Sequence, residues 1–266
     1  MNLNTKVTIL GSAILMSLLA LSSAHAELVK KKFEYKQGDT ALEGYIASDS
    51  KYQGKRPAIL IFPQYTGPSD FERDVADKLA TLGYVAMVAD VYGVGIRPPA
   101  PKEAGAEMGK YLKDRPLLRA RTKAALDRLA SESNVNPEKI GTIGYCFGGA
   151  GVLELGRQGA NVKALVSLHG TLNSPTLDDG KNIKGKVLVL HGADDPAVPV
   201  TDVNNFIEEM KKGSVDLTFT SYSDTKHSFT LPSAGSDKTR SSFYNPISAR
   251  RAWASMIDFL DETLSN

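Results

Sequence analysis

The sequence has 266 residues, of which 32 are basic and 30 acidic, so the formal net charge at pH 7 is only +2. This near-balance gives no electrostatic reason to expect nucleic acid or an anionic membrane as a partner. Hydrophobic residues make up 42% of the chain, which is typical of a globular protein whose length allows one large domain or two small ones.

The first 26 residues have the pattern of an export signal. Lys6 supplies a positive charge, residues 7–21 are mostly apolar, and Ala24-His25-Ala26 carries small residues where a signal peptidase cuts. An uncleaved anchor helix is the alternative, but the apolar stretch is short and interrupted by polar residues and glycine. We therefore expect cleavage after Ala26, a mature chain 27–266 that is periplasmic or secreted, and no stable membrane association after cleavage.

The mature chain alternates predicted strands and helices. Residues 32–36 and 42–47 predict an antiparallel hairpin, apolar runs predict buried strands, and periodic apolar positions predict helices. The predicted strands are 58–62, 84–89, 140–145, 163–169, 186–191 and 217–222, and the predicted helices begin near 69, 104, 116, 147, 201 and 245. This alternation predicts one α/β domain, with a mostly parallel central sheet, helices on both faces and the hairpin at the sheet edge.

One short segment joins a predicted strand to a predicted helix and carries a nucleophile pattern. Gly144-Tyr145-Cys146-Phe147-Gly148 matches the G-x-S-x-G elbow, with cysteine in the serine position. The sharp turn crowds the residues two before and two after the nucleophile, so glycine is needed at both. The helix start directs unpaired N–H groups at the sulfur, which favours a thiolate. A lone cysteine is more often a buried structural thiol, but this position favours a nucleophile.

Two later loops, each after a predicted strand, supply an acid and a base. Asp195 follows the strand 186–191, and His227 follows the strand 217–222. The chain order of nucleophile, acid and base is that of α/β-hydrolases. We therefore predict that Cys146 attacks a carbonyl carbon, His227 transfers the proton, and Asp195 orients the imidazole. Asp194 and Asp224 remain alternatives for the acid.

Other side chains near the strand ends have predicted roles around this triad. The N–H groups of Phe147 and of Tyr65, in the loop after strand 58–62, are predicted to form an oxyanion hole. Tyr92 is expected either to line the substrate pocket or simply to pack. His169 and His191 are expected to pack or hydrogen-bond beneath the site, since neither has a metal-ligand partner at a useful spacing.

These motifs together resemble the dienelactone hydrolase family of α/β-hydrolases. The resemblance rests on residues 144–149, the Asp195 loop and Lys226-His227-Ser228-Phe229, and it covers about residues 32–264. It implies a single-domain α/β-hydrolase fold and a small-molecule ester or lactone substrate. It also implies an acyl-thioester intermediate and no metal or organic cofactor. The natural substrate and the oligomeric state stay open.

The chain departs from the family pattern at three positions. Gln64 stands where the family commonly has a glutamate that is implied to hold and activate the resting thiol. Gly93-Val94 and Leu231 stand where the resemblance implies that dienelactone-cleaving members hold the substrate carboxylate with arginines. Arg97 is a candidate substitute for the first of these arginines. We hypothesise that Cys146 and its histidine rest as a thiolate–imidazolium pair, because no carboxylate competes for the thiol.

Two other functions compete with hydrolysis. The first is a catalytically weak small-molecule binding protein that retains the fold, and the substitutions just described favour it. The second is thiol redox chemistry, which is disfavoured because the chain has one cysteine and so no resolving partner.

Overall fold

Eight strands form one sheet in the computed structural model, which describes residues 27–99 and 101–265. The predicted signal peptide, residues 1–26, lies outside the described residues. The strands are β1 Leu28–Gln37, β2 Thr40–Asp49, β3 Arg56–Phe62, β4 Val85–Val88, β5 Val135–Tyr145, β6 Ala164–Leu168, β7 Lys186–Gly192 and β8 Leu217–Tyr222.

The strand order across the sheet is β1-β2-β4-β3-β5-β6-β7-β8. The β1–β2 and β2–β4 pairs are antiparallel, and every pair from β4 to β8 is parallel. The predicted mostly parallel sheet with an antiparallel hairpin at its edge is therefore confirmed. Because the strands from β3 to β8 run in one direction, the loops that follow them meet at one edge of the sheet.

Helices cover both faces, as predicted. They are α1 Asp70–Thr81, α2 Pro101–Lys113, α3 Arg115–Ala130, α4 Phe147–Arg157, α5 Val200–Lys212 and α6 Pro246–Leu264. Residues of α1 and α6 pack on one face, and residues of α2 to α5 pack on the other. Within the described ranges, no helix combines the length and the apolar character needed to cross a bilayer.

Strand β3 illustrates why the central strands are continuous apolar runs. Its residues 58–62 are fully buried because both faces are covered by helices. Leu60 and Phe62 enter the core beneath α3 and α4. Ile59 and Ile61 enter the core beneath α1 and α6. Every side chain of the run is thus buried against one helix layer or the other.

The helix starts follow the capping signals in the sequence. The Ser69 hydroxyl accepts a hydrogen bond from Phe71 N at 3.2 Å, and the Glu72 carboxylate accepts one from Ser69 N at 3.0 Å. The Glu72 bond is one half of the predicted capping box of α1, and the other half is a bond from the Glu72 backbone N to the Ser69 side chain. The start of β5 was predicted wrongly at Ile140, because Asn136-Pro137-Glu138-Lys139 interrupts the apolar run. The strand begins at Val135, and its pairing with β3 is irregular there.

A buried ionic cluster joins α4, α5 and the segment after β6. Arg157, in the last turn of α4, is fully buried. Its guanidinium lies 2.7 Å from the Glu209 carboxylate and 3.1 Å from that of Glu154, and it donates to the Leu172 carbonyl at 3.0 Å. Both carboxylates are also fully buried. The cluster therefore holds the C-terminal end of α4, the helix whose first residue follows Cys146.

Candidate active site

The elbow between β5 and α4 places Cys146 at the edge where the loops meet. Its backbone is in a sparsely populated left-handed region, with φ +55° and ψ −116°, an arrangement that costs about 1–3 kcal/mol and is typical of functional sites. A Cβ added at Gly144 would lie 2.1 Å from the Gly148 carbonyl oxygen, and one at Gly148 would lie 2.2 Å from that of Phe62. Only glycine therefore fits at these two positions.

The three residues predicted as a triad form one hydrogen-bonded chain. His227 Nε2 lies 3.1 Å from the Cys146 sulfur, and His227 Nδ1 lies 2.8 Å from Asp195 Oδ2. Asp195 is buried, and its other oxygen accepts a hydrogen bond from Ala197 N at 2.8 Å. The alternatives for the acid, Asp194 and Asp224, have exposed side chains. The structure therefore brings Asp195, rather than either neighbour, to the imidazole.

Close packing between two loops sets the distance from acid to base. A Cβ added at Gly192, at the end of β7, would lie 2.5 Å from the Thr225 carbonyl oxygen in the loop after β8. The same carbonyl accepts a hydrogen bond from Asp194 N at 3.0 Å, and Ala193 N donates to the Tyr222 carbonyl at 2.9 Å. The backbones of the acid loop and the base loop are thus bonded directly to each other.

The surroundings of His227 favour its protonated form. Burial is the largest single influence and works against the charge, but the hydrogen bonds and negative charges of Asp195 and Cys146 outweigh it. Together they raise the pKa of His227 to about 10. The side chain is 15% exposed, so solvent screens these interactions only weakly. In this arrangement the imidazole holds a proton at neutral pH.

The two predicted oxyanion donors come from different parts of the chain. Phe147 is the first residue of α4, where the backbone N–H has no partner within the helix. Tyr65 lies in the loop after β3, next to Gln64. Tyr92 touches both residues: its hydroxyl donates to the Tyr65 carbonyl at 2.9 Å, and its ring stacks on Phe147 with a centroid distance of 5.7 Å.

Tyr92 itself is packed inside the protein. Only 2% of its surface is exposed, which favours packing between the two predicted roles. Burial first, and the negative charge of Cys146 second, raise the pKa of Tyr92. Its hydroxyl therefore remains protonated and available as a donor.

Gln64 has a partner that the sequence reasoning missed. Its backbone N and its side-chain Nε2 donate to Glu72 Oε1 at 3.4 and 3.3 Å. Glu72 is fully buried, and its second oxygen accepts bonds from the N and Oγ of Ser69 at 3.0 and 2.5 Å. The capping box could have given this signal, because it turns the third side chain of the helix back towards the preceding loop.

Two further histidines lie beneath His227. His169 is fully buried and has φ +40°, and its Nε2 lies 2.8 Å from Thr230 Oγ1. Its ring meets the His227 ring edge-on at a centroid distance of 5.2 Å. Burial, and then the charge of His227, hold the pKa of His169 well below its usual value. His191 is also buried, and burial lowers its pKa.

Across residues 27–99 and 101–265, no group of three His, Cys, Asp or Glu side chains is arranged to hold a metal.

Arg97, the candidate substitute for the family arginine, is hydrogen-bonded to backbone and side-chain oxygens near it. Its Nη1 donates to the carbonyls of Gly93 and Ile96 at 3.1 and 2.7 Å, and its Nη2 lies 3.4 Å from the buried carboxylate of Asp90. The guanidinium is thus bonded to its own loop. Val94, at the family position, is exposed.

The parallel sheet, the elbow after β5, the acid loop after β7 and the base loop after β8 define an α/β-hydrolase. A profile of the dienelactone hydrolase family matches residues 42–264. The chain belongs to the dienelactone hydrolase family, and by class it is an ester or lactone hydrolase.

Individual relatives agree with this assignment. A Synechocystis sp. protein whose name places it among the carboxymethylenebutenolidases is 26% identical over 226 residues, which cover 80% of this chain and 88% of that one. A solved structure named m3DLH is 34% identical, has a TM-score of 0.86, and is matched over 89% of this chain and 99% of that one. A dienelactone hydrolase-like promiscuous phosphotriesterase from metagenomic libraries is also 34% identical, with a TM-score of 0.84 and coverage of 89% and 98%.

Proposed function

We propose that Cys146, His227 and Asp195 act as a catalytic triad that hydrolyses an ester or lactone through an acyl-thioester. The observation that carries the proposal is the unbroken chain of hydrogen bonds, 3.1 Å from the sulfur to the imidazole and 2.8 Å from the imidazole to the carboxylate. This geometry lies within the range expected of an activated nucleophile and its base.

The reaction begins from a thiolate and an imidazolium. The sulfur of Cys146 attacks the carbonyl carbon, and the carbonyl oxygen becomes an oxyanion that accepts hydrogen bonds from Phe147 N–H and Tyr65 N–H. The tetrahedral intermediate collapses, the C–O bond breaks, and His227 Nε2 gives its proton to the leaving alkoxide. The products of this half-reaction are an alcohol and an acyl-thioester on Cys146.

Water completes the cycle. The neutral imidazole of His227 removes a proton from a water molecule, whose oxygen attacks the thioester carbon. Collapse of the second intermediate breaks the C–S bond, releases a carboxylic acid and restores the thiolate. Asp195 holds the imidazole in the tautomer that presents Nε2 to the substrate and stabilises the cation in both halves. For a lactone, the alcohol and the acid are parts of one ring-opened product.

We further propose that the substrate is an uncharged ester or lactone. Val94 and Leu231 occupy the positions at which the family resemblance implies carboxylate-binding arginines, and the guanidinium of Arg97 is bonded within its own loop. A substrate carboxylate would therefore lose hydration without gaining a paired cation. A neutral lactone should be turned over faster than its carboxylate-bearing analogue, and a preference for the acidic analogue would contradict this proposal.

Turnover of p-nitrophenyl acetate tests the triad. Cys146→Ala and His227→Ala should abolish turnover above background. Asp195→Asn should lower kcat by at least roughly 100-fold, whereas Asp194→Asn, its exposed neighbour, should have wild-type activity. Mass spectrometry of acid-quenched protein should find one acetyl group on Cys146. An equal rate in wild type and in Cys146→Ala would support the small-molecule binding protein instead.

Export is a separate proposal, supported by the pattern of residues 1–26. Expression of the full chain in a Gram-negative bacterium, followed by fractionation, should give a periplasmic protein that begins at Glu27. Ala24→Leu, which places a large residue at a position that requires a small one, should accumulate as an uncleaved precursor. A cytoplasmic wild-type protein that retains residues 1–26 would contradict the proposal.

A further inference from the structure

We infer that Tyr92 is a positioning residue that holds the two oxyanion donors in register with each other. The donors come from different parts of the chain: Tyr65 lies in the loop after β3, and Phe147 begins α4. Tyr92, which follows β4, contacts both, by a hydrogen bond to the first and by ring stacking on the second. The inference rests on the proposed function, because it assigns a role within that catalytic site.

The hydrogen bonds around Tyr65 fix both peptide planes of this residue. Tyr92 Oη donates to the Tyr65 carbonyl at 2.9 Å, which fixes the peptide that follows Tyr65. Gly67 N donates to the Gln64 carbonyl at 3.0 Å, which fixes the peptide that precedes it. Because the described peptide bonds are trans, the Tyr65 N–H points opposite to that Gln64 carbonyl. Loss of the Tyr92 bond would therefore free one of the two constraints on the donor.

Tyr92 is itself held firmly enough to fix the position of the Tyr65 carbonyl. Its N–H donates to the buried Asp90 carboxylate at 3.0 Å, and its carbonyl accepts the Tyr111 hydroxyl at 3.2 Å. Its ring lies nearly parallel to that of Phe147, with 23° between the planes, and 5.2 Å from the ring of Tyr111. Backbone, ring and hydroxyl are thus all held, and the position of the Tyr65 carbonyl follows from them.

Removal of the hydroxyl should affect the transition state much more than the resting site. Oxyanion donors must lie within a few tenths of an ångström of the developing charge, and loss of one whole donor costs roughly 100- to 1000-fold in kcat. Tyr92→Phe leaves both donors present but loosens one, so we expect kcat for p-nitrophenyl acetate to fall about 10- to 100-fold. KM should change by less than about threefold, because the deleted hydroxyl belongs to a side chain of which only 2% is exposed.

A second reaction at the Cys146 sulfur distinguishes a positioning role of Tyr92 from a general loss of structure in the site. Iodoacetamide alkylates Cys146 by displacement at a saturated carbon, so no oxyanion forms and no oxyanion hole is needed. Tyr92→Phe should therefore be alkylated at the wild-type rate across pH. The control is Tyr84→Phe, which also removes a tyrosine hydroxyl hydrogen bond, here 2.5 Å to Asp261 on α6. It should keep wild-type kcat and wild-type alkylation.

The outcomes are distinct. A tenfold or greater fall in kcat with unchanged KM and unchanged alkylation supports the inference. A kcat within twofold of wild type overturns it, and so does a parallel fall of kcat and alkylation, which would mean that Tyr92 only maintains the fold of the site. Turnover by wild type that persists in Cys146→Ala would instead overturn the proposed function, and this inference with it.

Discussion

The resting ionisation of Cys146 can be tested directly. With the pKa of His227 raised from 6.5 to about 10, the protonated imidazole is favoured by about 5 kcal/mol over an unperturbed ring. Its two hydrogen-bond partners are Cys146 and Asp195. A positive imidazole 3.1 Å from the Cys146 sulfur favours a thiolate there, as we hypothesised from Gln64. The interactions that raise the pKa of His227 contribute their full stabilisation of the fold below pH 6.5, and this contribution is lost progressively as the pH rises towards 10.

Alkylation by iodoacetamide across pH measures this directly, because Cys146 is the sole cysteine in the sequence and no other thiol reacts. If the hypothesis holds, the midpoint for wild type should lie below the free-thiol value of about 8.5. His227→Ala removes the counter-charge and should return the midpoint to about 8.5 or higher. Asp195→Asn removes one of the two partners of the imidazole and should give an intermediate midpoint.

Two results would refute the reasoning. A wild-type midpoint at or above 8.5 would mean that the resting sulfur is a thiol. A low midpoint that is unchanged in His227→Ala would mean that another feature, such as the start of α4, stabilises the thiolate without the imidazole. Circular dichroism of both variants, with Cys146→Ser as the unreactive control, shows that the fold is retained.

Three further predictions concern stability. Gly148→Ala places a methyl group 2.2 Å from a carbonyl oxygen of β3 and should lower the free energy of unfolding by about 3 kcal/mol or more. The control is Gly109→Ala, where an added Cβ meets nothing within 4 Å, and it should raise the free energy of unfolding by about 0.5–1 kcal/mol. Equal effects of the two substitutions in urea titrations would contradict this. Arg157→Met leaves the buried Glu209 carboxylate without its ion-pair partner, whereas Glu154 keeps Arg119 at 2.7 Å. It should cost about 3–5 kcal/mol, with kcat of the folded protein unchanged. His169 stays neutral in the fold but binds a proton when unfolded, so stability falls as the pH drops below about 6.5; in His169→Phe this slope should be smaller by up to about 1.4 kcal/mol per pH unit, and an unchanged slope would contradict the assignment.

The fold could be predicted because its signals are local. The continuous apolar run of residues 58–62 predicts a strand covered on both faces, and its complete burial confirms that prediction. The residues Ser69 and Glu72 predict the start of α1 by their spacing. Where polar residues and a proline interrupt a strand, as in residues 136–139, the local signal weakens and the predicted boundary was wrong by five residues.

The part of the candidate site that could be predicted from the sequence is the part that depends on the order and direction of the strands. Cys146, Asp195 and His227 each follow a parallel strand, so their convergence at one sheet edge follows from the strand order. The Gly192-Ala193-Asp194-Asp195-Pro196-Ala197-Val198-Pro199 spacing favoured Asp195 over Asp194. In the structure, backbone bonds between the two loops accompany the inward orientation of the Asp195 side chain. The contact of Tyr92 with Tyr65 joins residues 27 apart in the chain, and no sequence pattern reports it.

At Gln64 the side chain that replaces the family glutamate is neutral, and it is hydrogen-bonded to a carboxylate elsewhere in the fold, that of Glu72. From sequence, replacement of the family glutamate removes a negative group from the thiol. In the fold, the Nε2 of Gln64 is bonded to the buried carboxylate of Glu72, which also holds Ser69 at the other end of the same loop. The carboxylate therefore fixes the loop that carries the Tyr65 donor. His227 is the hydrogen-bond partner of the Cys146 sulfur within the described residues. Donors fixed in advance need no reorganisation as an oxyanion forms. We therefore expect Glu72 to preorganise the loop, while the imidazole is the group that contacts the sulfur.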